Sequence, residues 1–231
     1  MESEKIQRGD FVEIKFTGYA NGKIFDSNVE EDLKEINSKA TPEKTIIAVG
    51  ERMLVEGLDN ALEDKELNKE YEISVSSKEG FGERKKELVR TIPLNSFRAQ
   101  NVMPQAGMML ALDNAIVKIL AVSGARVIAD FNNPLAGKDL KYKIKILRKV
   151  TDEKEKAEAL FSGFFRFVPE FEISQENIII RGPANLKIFS ELFSEKFKTL
   201  IGKPLFFELK EKPKEEVKEP LANLVHKEQA P

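Results

Sequence analysis

From Val12 to Thr17 apolar and polar side chains alternate, Val12, Ile14 and Phe16 on one side of an extended chain and Glu13, Lys15 and Thr17 on the other. A period of two predicts a strand with one buried face. Asn21-Gly22 follows, a pair that tolerates positive φ and so predicts a hairpin turn, and the chain returns through Ile24 and Phe25. Ser27 and Glu30 have capping-box spacing, which predicts a short helix over 28–37. Ile46–Val49 reads as a further strand ended by Gly50. Leu54, Leu58, Ala61 and Leu62 fall at helical spacing, so a short helix within 53–62 should lay one apolar face on the sheet. Tyr71, Ile73 and Val75 alternate as another strand.

After Gly82 the pattern changes. The stretch 83–90 is charged, and Pro93 and Pro104 punctuate the chain before Met108–Leu112. Asp113-Asn114 is a turn candidate, followed by apolar runs at Ile116–Val122 and Arg126–Phe131, which predicts three strands in a meander. Tyr142, Ile144 and Ile146 then resume period two, so the first sheet gains a last strand after a long excursion. Such an excursion is tolerated because closure entropy rises slowly with loop length. Asp152 and Glu155 again have capping-box-like spacing before a helix through Leu160 and Phe161. Ile173 and Ile178–Ile180 mark a strand. Leu186, Phe189, Leu192, Phe193, Phe197 and Leu200 mark an amphipathic helix, and Leu205–Lys210 a last strand. Residues 213–231, charged and proline-containing, read as a disordered tail.

Composition narrows the functional classes. At 231 residues the chain is long enough for two or three compact units, and its net charge of −2 argues against a nucleic-acid role. From residue 153 onward there are 13 basic and 14 acidic residues, so the last unit is no electrostatic nucleic-acid binder either. No run reaches membrane-span length, and Met1-Glu2-Ser3-Glu4-Lys5 is too polar for a signal peptide; the expectation is a soluble, cytoplasmic protein without a membrane partner. The absence of cysteine excludes disulfides and thiol catalysis. The one histidine, His226, lacks companions for a metal site, so no metal and no cofactor are expected.

The ordered set Phe16-Thr17-Gly18, Phe25-Asp26-Ser27, Gly57-Leu58 and Gly80-Phe81-Gly82, with Asn132–Gly137 about fifty residues later, resembles the FKBP family of peptidyl-prolyl isomerases. In particular it resembles the SlyD-type branch, which carries a chaperone domain inserted in the flap. The resemblance covers about 8–85 and 132–150. It implies an α+β fold in which an antiparallel sheet wraps a short helix, interrupted by a small β domain and followed by a C-terminal α+β domain like that of longer archaeal members. The implied boundaries are 1–86 with 132–152 for the isomerase domain, 87–131 for the insertion and 153–212 for the C-terminal domain. By the same resemblance Phe16, Phe25, Asp26, Leu54, Val55, Leu58, Phe81 and Tyr142 form the proline site. Phe25 would line it, Asp26 would face the substrate carbonyl, and the Val55 amide would donate to bound peptide. Phe81 stands where the family has a tyrosine, Leu58 where many members have tryptophan, Phe16 where it usually has tyrosine and Tyr142 where it has phenylalanine.

In the insertion Met103, Met108 and Met109 bring three of the chain's five methionines within seven residues. Met-rich surfaces accept varied apolar partners, though these methionines could equally fill a small core. The SlyD resemblance favours a substrate-catching surface of Leu94, Phe97, Met103 and Met109. The function implied is isomerisation of X–Pro bonds in unfolded or proline-containing polypeptides, joined to chaperone activity; a holdase with little isomerase activity is the alternative. The C-terminal unit could bury a core alone or form a homodimer.

Overall fold

The computed structural model of the protein describes residues 5–36, 41–112 and 115–210. Contacts divide the chain into two compact units, Met1–Val168 and a second from Pro169 onward.

The first unit opens with β1 (Phe11–Ala20) and β2 (Lys23–Ser27), joined by Asn21 and Gly22 at φ 51° and 75°. After α1 (Glu30–Ile36) come β3 (Thr45–Ala48), α2 (Glu56–Asn60) and β4 (Glu70–Val75). A second sheet is then inserted. It comprises β5 (Val89–Pro93), α3 (Leu94–Arg98), β6 (Met109–Leu112), β7 (Ala115–Ser123) and β8 (Arg126–Asp130), ordered β5-β8-β7-β6. The chain returns as β9 (Leu140–Lys149), which slots between β1 and β4, so the first sheet runs β2-β1-β9-β4. β3 also pairs with β1, at Phe11–Ile14, beyond the stretch that β2 occupies.

The inner face of this body sheet follows the period of two. Val12, Ile14, Tyr142, Ile144, Ile146, Ile73 and Val75 are buried against Leu58 and Leu62, from α2 and the turn after it. Each fully buried side chain of this kind contributes about 1.5–3 kcal/mol. Asp59 of α2, 2% exposed, accepts the Gly50 and Arg52 amides at 2.9 and 2.8 Å, which pins the 50–52 turn to the helix. Asn28 plugs the seam where β2 gives way to β3. Its Oδ1 accepts the Phe16 amide at 2.8 Å, and its Nδ2 donates to the Ile14 carbonyl and Thr45 Oγ1. The capping expected at Ser27 takes another form: Ser27 Oγ accepts the Val29 amide and donates to the Phe16 carbonyl, and α1 starts only at Glu30.

α4 (Glu153–Leu160) is capped as expected, the Asp152 carboxylate accepting the Glu155 amide. A π-helical turn, Phe161–Phe165, follows it directly. Both belong to the first unit rather than to the C-terminal one, because α4 packs on β3 and Glu155 bonds Arg148 of β9. The chain therefore divides after Val168, not near residue 152.

In the second unit β10 (Glu170–Ile173) and β11 (Ile178–Gly182) form a hairpin where one strand was expected. α5 (Leu186–Ile201) carries the chain to β12 (Leu205–Leu209), parallel to β11. Ile178, Ile180, Leu186, Phe197 and Leu205 are buried. Among the described residues no helix is long and apolar enough to cross a membrane. The turn expected at Asp113-Asn114, the tail 213–231 and His226 lie outside the described residues.

Candidate functional site

Seven of the eight residues expected in the proline site belong to, or pack against, the core of the body. Leu58 and Tyr142 belong to the buried cluster of the body, 1% and 4% exposed, and Phe16, Phe25, Leu54, Val55 and Phe81 pack half-buried against it. Asp26, next to Phe25 on β2, is exposed. Phe25 is the hub. Its ring stands edge-on to Phe81, with centroids 6.1 Å apart and planes at 84°, and edge-on to Tyr142, at 5.8 Å and 83°. Such T-shaped pairs contribute about 0.5–1.5 kcal/mol beyond burial.

Gly18 makes this corner possible. A Cβ there would lie 2.7 Å from the Phe25 ring and 3.0 Å from that of Tyr142, so only glycine lets both rings cross the strand. Gly57 does the same for α2: a Cβ would sit 2.7 Å from Val75, and the Gly57 amide donates to the Glu79 carbonyl at 3.0 Å.

The corner has few polar groups. The Tyr142 hydroxyl has no hydrogen-bond partner among the described residues, and no unpartnered side-chain oxygen in them is sealed from solvent. That oxygen is therefore not sealed from solvent. Burial, with a smaller contribution from the charge of Asp26, pushes its pKa up to about 12, so it stays a proton donor. Much of the Asp26 surface is open to water, yet protein crowds one side of the carboxyl. This desolvation raises its pKa above the usual carboxylate range, and the Ser27 backbone amide partly opposes the rise. The Val55 amide, at the N-cap of α2, makes no hydrogen bond among the described residues. Among the described residues no group of acidic or histidine side chains is placed to hold a metal ion.

Two supports were not anticipated. Leu135, from the loop returning to β9, packs against the same core and adds a wall. Asp59 holds the turn that presents Leu54 and Val55. An acid placed between Leu58 and Leu62 was the available signal for it, since a buried carboxylate must be paired.

The insertion is tied to the body by a polar joint. The Asn132 Oδ1 accepts the Lys85 amide at 2.8 Å, and its Nδ2 donates to the Lys85 carbonyl and to Asp130 Oδ1. Arg84 pairs with Asp130, and the Gly137 amide donates to the Gly82 carbonyl at 2.8 Å. Desolvation pushes the Asp130 carboxyl up, but the Asn132 hydrogen bonds and the Arg84 charge outweigh it and hold the group below the usual range.

The expected catching surface needs correction. Phe97 is 3% exposed and fills the small core of the insertion with Val117, Ile119, Val127 and Ala129, and Leu94 packs half-buried on that core. Met103 and Met109 are exposed, at 66% and 46%. The apolar side chains that join Met109 on the outer face come from the strands instead: Ile116, Leu120 and Ile128.

The family model for the IF domain of FKBP26 matches residues 90–135. A short-type peptidyl-prolyl cis-trans isomerase of Methanocaldococcus jannaschii is 33% identical over 145 residues, 61% of this chain and 92% of that protein. The FKBP-type isomerases SlyD of Yersinia pestis and Haemophilus influenzae are 32% and 31% identical over 45% and 42% of this chain. These matches span only 56% and 53% of the SlyD proteins. A solved structure of the three FKBP domains of wheat FKBP73 aligns over 66% of this chain and 43% of its own, at 15% identity with a TM-score of 0.36.

Proposed function

The chain belongs to the FKBP-type peptidyl-prolyl isomerase family, and from that premise we infer that it is a peptidyl-prolyl cis-trans isomerase that acts on unfolded polypeptides captured by its insertion. Peptide bonds rotate over a barrier of about 18–20 kcal/mol, and uncatalysed X–Pro isomerisation takes tens to hundreds of seconds. Twisting the bond removes amide resonance and with it the charge separation between nitrogen and oxygen. An apolar site therefore disfavours the planar ground state more than the twisted transition state. The Phe25, Phe81 and Tyr142 rings over Leu58 supply such a surface.

Two donors would orient the flanking peptide: the Val55 amide and the Tyr142 hydroxyl. The latter compensates for Phe81, which brings no hydroxyl. Asp26 would face the carbonyl carbon of the twisting bond. The observation that carries this reading is the aromatic corner built across Gly18 with one unpartnered hydroxyl in it. The outer face of the insertion, apolar at Met109, Ile116, Leu120 and Ile128, would hold unfolded chain nearby. Large exposed apolar patches mark such interaction surfaces. A cysteine-free chain suits a cytoplasmic setting. Ile188 and Leu192 on α5 and Phe206 on β12 are exposed, the kind of surface through which a homodimer of the second unit would form.

A refolding assay limited by a proline isomerisation tests the reading. The slow phase should accelerate in proportion to enzyme concentration. Suppression of aggregation with an unchanged slow phase would leave only a holdase.

A further inference from the structure

A groove of about 630 Å³ runs between β3 and the α4–π-helix segment. Its walls include Ile46, Met53, Ala159 and Gly163, together with Phe16 and Leu54, two residues of the proposed proline site. From these shared walls we propose that the groove is a second substrate subsite, which takes an apolar side chain of the same polypeptide some residues away from the proline. The inference rests on the isomerase reading and extends it to the segment after β9.

The segment after β9 is fastened so as to form a wall. Glu155 accepts from Lys44 of the segment leading into β3, and both its carboxylate oxygens accept from Arg148 Nη2 at 3.0 and 2.9 Å, while Arg148 Nε donates to Glu13 of β1 at 2.8 Å. α4 is thereby held on the body sheet at its first turn. At its other end the helix widens into the π-turn, a rare geometry that is frequent at functional sites. There Phe161 and Phe165 turn into the core, with rings 5.2 Å apart, while Ser162 and Gly163 are left on the groove. A Cβ at Gly163 would lie 2.6 Å from the Met53 methyl group, so glycine lets that flexible side chain lie along the wall. Methionine adapts to varied apolar shapes, which suits a site that must accept many sequences. The charged lining, Glu43, Lys44, Glu155 and Glu158, is net negative, so an acidic residue beside the bound side chain is disfavoured.

The test uses the full chain and proline peptides of two lengths, read by exchange spectroscopy. One is a tetrapeptide that reaches only the corner; the others are longer, with either apolar or serine residues around the X–Pro core. The wild type should favour the apolar long peptide over the serine one by about tenfold in kcat/KM, the size of effect a filled apolar pocket gives. Ser162→Trp, which fills the groove from an exposed position, should remove this preference and leave the tetrapeptide rate unchanged. Glu43→Trp blocks the groove from another exposed lining position and serves if Ser162→Trp does not fold. A preference that survives both blocks, or a wild type without one, overturns the subsite. Failure of the wild type on the tetrapeptide overturns the isomerase reading instead. In that event fluorescence anisotropy with the apolar long peptide decides the groove by itself: weakened binding in the blocked variants supports it, and equal binding sinks it.

Discussion

The first unit contains two antiparallel sheets whose outer faces are opposite in character. On the body sheet, Glu70 pairs with Lys145 and Glu72 with Lys143 across β4 and β9, and Lys15 continues the charged row on β1. On the insertion, Met109, Ile116, Leu120 and Ile128 occupy the equivalent outer positions, with the charge of Lys118 among them. Inside, the order reverses. The body buries a continuous cluster from Ile6 to Ile146, whereas the insertion has five buried core residues. A large core with a charged exterior holds a site in fixed geometry. A small core with an apolar exterior gives up stability for exposed apolar surface. On the proposed reading, the two sheets would divide the work between a positioned reaction and an indifferent grip.

The largest effect should come from separating them. Replacing residues 87–131 by a short turn should slow catalysed refolding of an unfolded protein by about a hundredfold, the scale that tethering supplies. A tetrapeptide should still be turned over at the parental rate. Equal losses on both substrates would mean that the insertion supports the fold and does not capture. Within the body, Phe25→Ala removes both edge contacts of the corner and should lower tetrapeptide kcat/KM by about tenfold or more. Asp26→Ala should act in the same direction, each with a smaller effect on the melting temperature. Activity close to wild type in both would show that the corner is not the site.

The insertion offers a sharper contrast between its faces. Ile116→Lys combined with Leu120→Lys should cut refolding catalysis about fivefold by charging an apolar contact surface, with no change in thermal stability. Phe97→Ala should instead cost about 3–5 kcal/mol of the insertion's own stability, seen as a lower transition in calorimetry. If the two variants behave alike, the inner and outer faces have been misassigned. Tyr142→Phe should reduce tetrapeptide kcat/KM by about two- to tenfold, the value of one hydrogen bond. A rate unchanged by that substitution would exclude the hydroxyl from the reaction.

The smallest effect concerns the joint. The Asp130 carboxyl is held below its usual range, so its contribution to stability is fully present above the unfolded value of about 3.9 and is lost as pH falls through the lower folded value. Asp130→Asn should therefore be less stable than wild type by about 1–3 kcal/mol at neutral pH, and the two should converge in acid. A difference that stays constant down to the acid limit would show that the carboxylate charge is not what matters.

Much of the body could be read from the sequence because its strands are half-buried, and half-burial leaves an alternating trace. The proposed site residues were chosen from a family pattern, but the physical reasons for their packing were not legible in the sequence. Gly18 matters because two rings cross it, and those rings arrive from β2 and β9. β5 escaped notice because Pro93 and its charged neighbours hide a short edge strand, the position where proline is tolerated. Phe97 was expected on the surface because aromatic and methionine content alone does not separate a small core from a sticky face. α4 was assigned to the wrong unit since its ties to the body, Lys44 and Arg148 with Glu155, lie far apart in sequence. The π-turn has no signature in the order of residues.

The Asn132 joint has a kinetic consequence. β4 ends at Val75 and its partner β9 begins at Leu140, so their pairing is remote along the chain, and remote pairings form slowly because loop closure precedes any reward. Once the insertion has folded and Asn132 has bridged to Lys85, the two crossings lie side by side. The search then reduces to that of a hairpin with a short turn. The insertion is in this sense a folding clasp for the enzyme that carries it, and β9 should dock only after the clasp has closed.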